Sequence, residues 1–585
     1  MIFSLCRTNR HTQRWSFSIA SVIALLLHST AFAGFASDTG KVLVPRSNGT
    51  SLGESGNALV RQADGKLLLA GDCFGATGGE YCVTRLNADG SYDTSFNGGL
   101  ASPAIPGKVT YSAIGTLTSR LTSMALANDG KIVLAGTCQP DPFSQGSSLR
   151  MCVMRLNANG SLDTGFNPGG TNGALPGRVQ FPFNASTVQR VGAVAVQPID
   201  RKIVVVGQCG GNQCVARLNE NGSFDASFGA QSSPEGAGRF SYTIASFRDE
   251  RADAVLIDAA SNIVIAGSCS ETPLALVRSI CVAKFTTGGS LNTGFDGPGG
   301  AANGAFRFQV LRQVSGINYV INEESRALAL DGTKIVLLCK HDFNGADGCV
   351  YRFNDDGSLD TGFAATQPLP GRALFQVGTI PAYQPFALAV DAASPSRLVV
   401  TGQCGAAAGP ELMCVSRLTS TGAQDITFTG PNGDAAGGFS FNVGAGFDTG
   451  FGVVTDATGN VFVGGECDLY GCVIGFDAIG ALNSSPCAAN VDADPAIRAT
   501  TDGLAIIRSM LNLPGSLAAP RGLGYDIDGD GQVRAATDGL LFLRAMLGFK
   551  DAGVTNGINI PTYANRRAWR EIKSYLNTRC GMNLP

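Results

Sequence analysis

Short apolar runs recur along the chain, and each leads into a cysteine. KLLLAGDC, KIVLAGTC and KIVVVGQC are three of them, and a second run such as CVMRL follows each after a variable loop. The first cysteines are Cys73, Cys138, Cys209, Cys269, Cys339, Cys404 and Cys467, and the second are Cys82, Cys152, Cys214, Cys281, Cys349, Cys414 and Cys472. Because this pattern returns seven times, we predict a repeat protein built on seven β-hairpins.

Each repeat carries two further strand signals outside its hairpin. An alternating segment such as residues 123–126 precedes the hairpin, and another strand-like segment follows after a glycine-rich connection. The two inner runs are apolar on both faces, which is typical of a sheet covered on both sides, as each blade of a propeller is by its neighbours. The pattern predicts an all-β fold, a seven-bladed β-propeller with four strands in each blade.

The fourth strands are unevenly distributed along the chain. Six of them follow repeats, at residues 107–111, 177–181, 239–242, 306–310, 373–377 and 439–443. The last repeat lacks one, whereas residues 40–44 (GKVLV) have the same pattern and precede the first repeat. We expect residues 40–44 to complete the last blade, since joining the two ends removes exposed sheet edges. An open solenoid is the alternative, and it gives the displaced strand no role.

The pattern changes to helical periodicity after Cys487. Two similar segments lie 36 positions apart, each beginning with oxygen-bearing side chains at alternate positions. Such side chains at loop positions one, three and five, a carbonyl at seven and an acid at the next helix are typical of EF-hand-like calcium loops. The predicted calcium ligands are Asn490, Asp492, Asp494, Ala496 and Asp502 in the first loop, and Asp526, Asp528, Asp530, Gln532 and Asp538 in the second.

The helices of these two segments need a small apolar core. Their periodicity suggests a core of Leu504, Ile507, Leu511, Leu540, Leu543 and Leu547. A further amphipathic segment near residue 570 places Trp569, Ile572 and Leu576 on one face, with basic residues elsewhere. We interpret it as a capping helix held by a disulfide, and a basic helix lying on a membrane is the alternative.

The amino terminus and the overall charge indicate export. Residues 1–33 contain three arginines, the apolar stretch FSIASVIALLL and a small-residue AFA end, as in a secretory signal peptide. A retained membrane anchor is the alternative, and no later stretch has the roughly 20 apolar residues of a membrane span. Without residues 1–33, the chain keeps 40 of its 43 basic residues and all 46 acidic ones, so its net charge is negative. We therefore expect no nucleic-acid partner and a secreted, periplasmic or cell-surface bacterial protein.

Cysteine usage agrees with export. Of the 17 cysteines, Cys6 lies in the predicted signal, fourteen form the repeat pairs, and Cys487 and Cys580 remain as an eighth pair. Facing residues on antiparallel strands lie about 4.5–5.5 Å apart, which suits a disulfide. We predict eight disulfides, one in each hairpin and one between Cys487 and Cys580. Metal binding is the alternative, but no histidine accompanies the pairs.

Two charged positions vary together among the repeats. An arginine precedes an aspartate by eight residues in the pairs Arg85 and Asp93, Arg155 and Asp163, Arg217 and Asp225, Arg352 and Asp360, and Arg417 and Asp425. Where the acid is Asn292 the base is Lys284, and where it is Asn483 the base position holds Gly475. We predict one ion pair per blade, because an unpaired charge at a half-buried position is costly. A ring of ligand-binding arginines is the alternative.

Two family resemblances follow from these motifs. DGKIVLAG and CVMRLNANGSLDTGF resemble the delta-60 repeat of exported bacterial proteins over residues 40–483, which implies a β-propeller and no particular chemistry. The two calcium loops resemble a type I dockerin over residues 487–585, which implies bound calcium and a cohesin-like partner. The chain departs from that pattern: the helix-start acid comes one residue late, Pro495 replaces a glycine, and alanine occupies most of the positions that usually read cohesin.

Catalytic chemistry is sparse in this sequence. His341 is the one histidine of residues 34–585, and no GxSxG motif accompanies it, so neither a serine triad nor a zinc centre is predicted. Loops between second and third strands carry aromatic rings among acids, which suits sugar or peptide recognition. The predicted ligand-binding residues are Phe74, Tyr81, Phe143, Phe343 and Tyr470.

The sequence thus predicts a signal peptide at residues 1–33, a seven-bladed propeller at residues 34–483 and a dockerin-like helical module at residues 484–585. The function most consistent with these parts is a secreted, non-catalytic binding or assembly protein. Its propeller would bind a polysaccharide or a peptide, and its module would bind calcium and a cohesin-like protein. The alternative is a carbohydrate-active enzyme, a glycoside hydrolase or lyase that uses paired carboxylates.

Overall fold

The fold is taken from a computed structural model of the chain. It describes residues 40–44, 54–75, 78–99, 105, 107–112, 119–139, 149–170, 175–183, 189–229, 235–244, 249–270, 277–298, 303–314, 317–342, 347–376, 383–391, 395–405, 411–430, 437–443, 446–480, 482, 497–511, 513, 525–528, 533–561, 564, 566–580, 582 and 584–585. The predicted signal peptide and Cys487 lie outside the described residues.

Seven four-stranded antiparallel sheets follow one another along the chain as blades. Blade 1 contains β2 (Ala58–Arg61), β3 (Leu67–Gly75), β4 (Gly78–Leu86) and β5 (Lys108–Ser112). Blade 2 contains β6 (Ser119–Leu126), β7 (Ile132–Cys138), β8 (Arg150–Leu156) and β9 (Arg178–Phe181). Blade 3 contains β10 (Gln189–Val196), β11 (Ile203–Cys209), β12 (Asn212–Leu218) and β13 (Arg239–Tyr242). The predicted four-strand unit is confirmed in each of these blades.

The remaining blades repeat this order, with one small inserted hairpin. Blade 4 contains β14 (Arg251–Ile257), β15 (Ile263–Ser270), β16 (Arg278–Phe285) and β17 (Ala305–Phe308), and the hairpin β18 (Leu311–Val314) and β19 (Ile317–Val320) follows it. Blade 5 contains β20 (Asn322–Asp331), β21 (Lys334–Asp342), β22 (Asp347–Phe353) and β23 (Arg372–Phe375). Blade 6 contains β24 (Gln384–Asp391), β25 (Arg397–Cys404), β26 (Leu412–Leu418) and β27 (Gly438–Phe441). Blade 7 contains β28 (Asp448–Thr455), β29 (Val461–Cys467), β30 (Tyr470–Phe476) and β1 (Lys41–Leu43).

The inner hairpins form the core because both of their faces are covered by neighbouring blades. In β7 every residue except Thr137 is buried, although successive side chains point to opposite faces of the sheet. The first strands of successive blades contact one another around the whole ring, and β28 contacts β2. These seven first strands therefore surround the central channel of the propeller.

The ring is closed by the amino-terminal strand. β1 pairs antiparallel with β30, with Lys41 opposite Ile474 and Leu43 opposite Cys472. Val42 and Val44 are buried in a cluster that also contains side chains of blade 1. The prediction for residues 40–44 is confirmed, and the open solenoid is wrong.

A buried arginine fastens one blade to the next. In blade 2, Arg155 donates from Nε to Asp163 Oδ2 at 2.7 Å, and its guanidinium lies 4.6 Å from the centre of the Phe166 ring. Its Nη1 donates to the backbone carbonyl of Glu220, which belongs to the corresponding turn of blade 3. The same three contacts recur at Arg85, Arg217, Arg352 and Arg417.

The repeat that holds Lys284 keeps its positive charge and pairs it with other acids, and Asn483 of the other exceptional repeat lies outside the described residues. Lys284, whose blade has Asn292 in place of the acid, pairs instead with Asp258 at 3.1 Å and with Asp355 of blade 5 at 2.6 Å. The predicted ion pairs are therefore confirmed in five blades, and in blade 4 the buried Lys284 pairs with carboxylates other than the predicted one. Because all five arginines are paired, and four of them are buried while Arg352 is half-buried, the interpretation as a ligand-binding ring does not hold.

These ion pairs predict a loss of stability in acid. Burial alone would raise the pKa of Asp93, but hydrogen bonds from Ser95 and Lys66 outweigh it and lower the pKa to about 2. Since the ordinary value is 3.8, ionised Asp93 stabilises the fold above about pH 4, and this contribution is lost as the pH falls through about 2. The pKa values of Asp163, Asp225, Asp360 and Asp425 are lowered as well. We expect the thermal midpoint to fall steeply between pH 4 and pH 2, and a midpoint that is constant over this range would contradict the assignment.

The carboxy-terminal part contains short helices that begin in a similar way. π-Helical turns at Ala499–Gly503 and Ala535–Gly539 lead into α1 (Leu504–Met510) and α2 (Leu540–Met546). A π-helical turn contains one more residue than an α-helical one, so it absorbs the one-residue delay of the helix-start acid noted in the sequence. Two further helices are α3 (Ala552–Thr555) and α4 (Trp569–Arg579). None of the helices in the described part of the chain has the length and apolarity to cross a membrane.

The predicted core of this module is partly wrong. Leu504, Leu511, Leu540 and Leu547 are exposed, by 49, 54, 36 and 56% respectively. The core is formed instead by side chains one or two positions away in each helix, namely Ile506, Leu541, Phe542 and Ala545, together with Tyr525, Ile527, Val554, Ile572, Tyr575 and Leu576. α4 packs into this core through Ile572 and Leu576, which supports the interpretation as a capping helix.

Candidate functional site

Disulfides brace the face of the propeller that carries the loops between second and third strands. Six of the seven predicted hairpin pairs are bonded: Cys73–Cys82, Cys138–Cys152, Cys269–Cys281, Cys339–Cys349, Cys404–Cys414 and Cys467–Cys472. In most of them the second cysteine lies opposite a glycine two residues before the first, as Cys152 lies opposite Gly136. Cys580 is also disulfide-bonded, and its predicted partner Cys487 lies outside the described residues.

The prediction fails at Cys209 and Cys214, which are buried thiols. Their strands have the same register as the bonded pair in blade 7, since Gly207 lies opposite Cys214 as Gly465 lies opposite Cys472. The backbone therefore does not explain the difference. Burial and a hydrogen bond with Cys209 raise the pKa of the Cys214 thiol well above its usual value, which favours its neutral form.

The predicted aromatic ligand-binding set does not form one surface among the described residues. Tyr81 is wrong as a ligand-binding residue, because it is only 1% exposed and packs with Leu121 and Val109 in the core. Tyr470 is half-buried at the turn that opens β30. Phe143, Phe343 and the side chain of Phe74 lie outside what the structure describes.

His341 belongs to a buried polar cluster in blade 5. Its Nδ1 lies 3.0 Å from Glu323 Oε1, and the Tyr351 hydroxyl donates to Glu323 Oε2 at 2.6 Å. Arg372 pairs with the same carboxylate. Burial opposes ionisation, but the hydrogen bond from His341 and the charge of Arg372 lower the pKa of Glu323 below its ordinary value. All four groups are buried, so this cluster joins strands of one blade and leaves His341 away from solvent.

A cavity of about 600 Å³ opens at the mouth of the central channel. It lies on the disulfide-braced face, because Gly79 near the start of β4 and Leu149 just before β8 contribute to its wall. Side chains from four consecutive blades line it, among them Phe451, Asn57, Arg120, Thr122, Thr137 and Arg190. Its volume lies in the range of about 300–1,000 Å³ that is usual for ligand pockets.

Arg120 and Arg190 are the charged residues of this wall. They occupy equivalent positions at the start of β6 and β10, and both are exposed. Within the part of the chain that the structure describes, neither guanidinium is in an ion pair. Their sequence signal is the arginine in SRL and in QRV, which open two first strands, whereas the ligand-binding residues predicted from the sequence lie in loops.

In blade 4 the equivalent arginine is neutralised by acidic neighbours. Arg251, at the equivalent position of β14, lies 3.0 Å from Asp253 and 3.0 Å from Glu324 of the following blade. Arg326 also pairs with Glu324 at 3.0 Å. Blades 4 and 5 thus carry a closed network of ion pairs at the channel mouth, whereas blades 2 and 3 present free positive charge to the cavity.

Asp72 supports the wall of the cavity from beneath. Its carboxylate accepts hydrogen bonds from the backbone N–H of Leu121 at 2.5 Å and from Asn57 Nδ2 at 3.0 Å, and both residues line the cavity. Burial raises the pKa of Asp72 to about 6, although these hydrogen bonds and Arg120 oppose the increase. With both oxygens engaged by the wall, Asp72 is placed to hold the wall rather than to act on a ligand.

Three aspartates of the second predicted calcium loop converge in the module. Carboxylate oxygens of Asp526, Asp528 and Asp538 lie within 4.8 Å of one another, and all three residues are fully buried. Asp538 accepts hydrogen bonds from the N–H groups of Ile527 at 2.6 Å and Arg534 at 2.8 Å, which fix it beside the other two. In the first loop Asp502 accepts the corresponding bond from Arg498 at 2.8 Å.

The remaining predicted calcium ligands are Asn490, Asp492, Asp494 and Ala496 of the first loop and Asp530 and Gln532 of the second, and they lie outside the described residues. Buried like charges at such distances repel one another unless a cation or a proton neutralises them. The donor set consists of hard carboxylate oxygens, which fits calcium. Arg566 holds the loop from outside by donating to the carbonyl of Ile527 at 2.9 Å.

Comparison with known proteins supports the repeat architecture. Residues 62–96, 127–166 and 200–228 match a family described as a domain of unknown function (DUF5122) beta-propeller, which agrees with the first three blades. No curated protein is similar in sequence.

Solved structures with a similar chain course are remote. The extracellular domains 1–2 of Drosophila Semaphorin 1b are 8% identical, with 76% of this chain and 88% of that chain covered and a TM-score of 0.38. A protein of unknown function from Dyadobacter fermentans is 10% identical over 74% and 96% of the two chains, with a TM-score of 0.36. A polysaccharide lyase of family PL25, an ulvan lyase, is 8% identical over 77% and 96%, with a TM-score of 0.38.

Proposed function

We propose that this disulfide-braced β-propeller is a secreted, non-catalytic binding protein whose ligand enters the cavity at the channel mouth. The observation that carries the proposal is the cavity itself, which is open on the braced face and lined by side chains of four blades. Polar groups such as Thr122 and Thr137 alternate there with the ring of Phe451. A few polar groups around an apolar surface are typical of ligand pockets.

The geometry favours binding over carbohydrate cleavage. An enzyme that cleaves glycosides commonly needs two carboxylates about 5–10 Å apart that face the substrate. Among the cavity-lining residues of the described chain there is no aspartate or glutamate, and the carboxylate of Asp72 behind the wall is engaged by Asn57 and Leu121. The carboxylates of blades 4 and 5 are engaged by Arg251 and Arg326.

Filling the cavity tests the proposal. We expect residues 34–585 to bind members of an array of glycans and peptides, and Thr122→Trp to abolish that binding because its indole occupies the cavity. Arg201→Gln on the opposite face, where Arg201 pairs with Glu220 at 3.3 Å, is the matched control and should bind like the parent. Binding that survives Thr122→Trp would place the site elsewhere, and release of cleaved product would favour the enzyme.

The helical module is proposed to bind calcium and to attach the propeller to a protein partner. The three buried aspartates support the calcium site. A contact surface for that partner is supported by four exposed leucines, which occupy equivalent positions in the two segments: Leu504 and Leu511 in the first, and Leu540 and Leu547 in the second. By its resemblance the module is dockerin-like, and a cohesin-like protein is the proposed partner. The double variant Leu511→Lys with Leu547→Lys should abolish binding to a type I cohesin without changing the calcium response.

Calcium should order the module in the whole protein. Trp569 is the single tryptophan of residues 34–585 and packs against the core of the module, so its fluorescence reports this part of the chain selectively. We expect a calcium-dependent change in emission with a midpoint of about 10⁻⁴–10⁻³ M, reversed by chelator, because binding energy becomes folding energy. Asp528→Ala should abolish most of the change, and Asp492→Ala should matter less because Pro495 disfavours the bend of the first loop.

An exposed acid outside the cluster provides the control for this titration. Asp551→Asn should leave the calcium response unchanged, since Asp551 is exposed and does not belong to the carboxylate cluster. Equal emission with and without calcium, or a larger effect of Asp492→Ala than of Asp528→Ala, would show that the second loop is not the principal site.

A further inference from the structure

Two exposed arginines of neighbouring blades line the cavity at the channel mouth. Arg120, Arg190 and Arg251 are equivalent residues of three consecutive first strands. Arg251 is neutralised by Asp253 and Glu324, whereas Arg120 and Arg190 are exposed and line the cavity. The arginine at this position is therefore paired in blade 4, whereas in blades 2 and 3 it lines the cavity and is in no ion pair within the described part of the chain.

Asp72 lies behind the part of the wall that carries Arg120, and other groups of the wall occupy its oxygens. The nearest buried carboxylate is held by the Leu121 N–H and by Asn57, and not by a bond from Arg120. Burial raises the pKa of Asp72 to about 6, and the charge of Arg120 opposes that increase. The cavity therefore keeps two donors of fixed positive charge, each able to form paired hydrogen bonds with a carboxylate.

The rest of the wall suits a sugar ring. Phe451 lies at the side of the cavity opposite the arginines in the ring order, and its ring packs 5.2 Å from that of Phe386. Aromatic rings offer an apolar surface to a sugar face, and Ser119, Thr122 and Thr137 offer hydroxyl groups for its polar edge.

We propose that the cavity binds an acidic oligosaccharide, with uronic acid carboxylates held by Arg120 and Arg190. This inference rests on the proposed binding function and names the chemical class of its ligand. The ring of Phe451 and the hydroxyl groups of Ser119, Thr122 and Thr137 favour a saccharide over an acidic peptide.

Uronic acid oligomers and their methyl esters provide a matched pair of probes. Residues 34–585 should bind trigalacturonate or a mannuronate trimer, and the methyl ester of the same trimer should bind at least tenfold more weakly because its charge is removed. Arg120→Gln and Arg190→Gln should each weaken binding of the acid about ten- to hundredfold and leave binding of the ester almost unchanged. Both residues are exposed, so these variants should fold, and Arg120→Lys should restore part of the affinity.

The outcomes separate this inference from the proposed function. Equal binding of acid and ester, no binding of either uronate trimer, or full binding by both glutamine variants would overturn the acidic ligand. If a neutral glycan or a peptide binds and Thr122→Trp abolishes it, the binding site stands and the uronate assignment is wrong. The control Arg201→Gln removes an arginine from the opposite face and should leave uronate binding as in the parent.

Discussion

Replacing the buried arginine of blade 6 should be among the most damaging single changes in the propeller. Arg417 is fully buried, pairs with Asp425 at 2.8 Å, lies 4.3 Å from the Phe428 ring centre and donates to the carbonyl of Ala478 in blade 7 at 2.6 Å. Arg417→Met would leave a buried carboxylate without its main counter-charge. We expect a loss of about 3–5 kcal/mol in the free energy of unfolding, measured by circular dichroism in denaturant.

Two further variants show whether the charge is the cause. The double variant Arg417→Met with Asp425→Asn should be more stable than Arg417→Met alone, because it removes the orphaned carboxylate as well. Blade 7 lacks both charges, because Gly475 and Asn483 stand where the other repeats have the arginine and the aspartate. The exposed pair of Arg201 and Glu220 is the control, and Arg201→Gln should cost no more than about 1 kcal/mol. A cost for Arg417→Met as small as that of the control would contradict the fastening role.

The within-blade partner of these arginines was predictable, but the contact with the next blade was not. Arg417 and Asp425 vary together with their equivalents because both lie in one repeat, and a fixed spacing reveals such a pair. The carbonyl of Ala478 is 61 residues away and belongs to a backbone whose position depends on how blades pack. A backbone acceptor leaves no trace in residue identity, so sequence comparison among repeats cannot reveal it.

The candidate site shows the same limit. The sequence favours aromatic loop residues as ligand contacts because exposed aromatic rings often bind ligands, yet Tyr81 is buried in the core. Arg120 and Arg190 stand at strand starts, and their equivalent Arg251 is paired. Whether such an arginine faces a cavity or a carboxylate depends on Asp253 and Glu324, one of them in another blade. The helices of the module posed a different problem, since LLFLRAML is apolar on nearly every side and its periodicity does not select a buried face.

The closing strand provides the second large effect, because β1 belongs to blade 7 by strand pairing alone and precedes blade 1 in the chain. Val42 lies opposite Val473 and is buried between the last and first blades with Leu59. Val42→Asp would place a carboxylate in this apolar cluster and detach β1, at a cost of about 3 kcal/mol or more. Detachment exposes the edge of β30, and we expect both a lower thermal midpoint and association of chains in light scattering.

The equivalent position of blade 1 is a matched control for ring closure. Val109 lies opposite Val83 as Val42 lies opposite Val473, and it is similarly buried. The difference is that β5 follows its partner β4 directly along the chain, whereas β1 and its partner β30 lie at opposite ends of the propeller sequence. Val109→Asp should lower the thermal midpoint through the same local cost while β5 remains tethered beside β4, so association should be weak. Closure by residues 40–44 would be refuted by a Val42→Asp protein that stays monomeric and melts like the parent, or by equal association of the two variants.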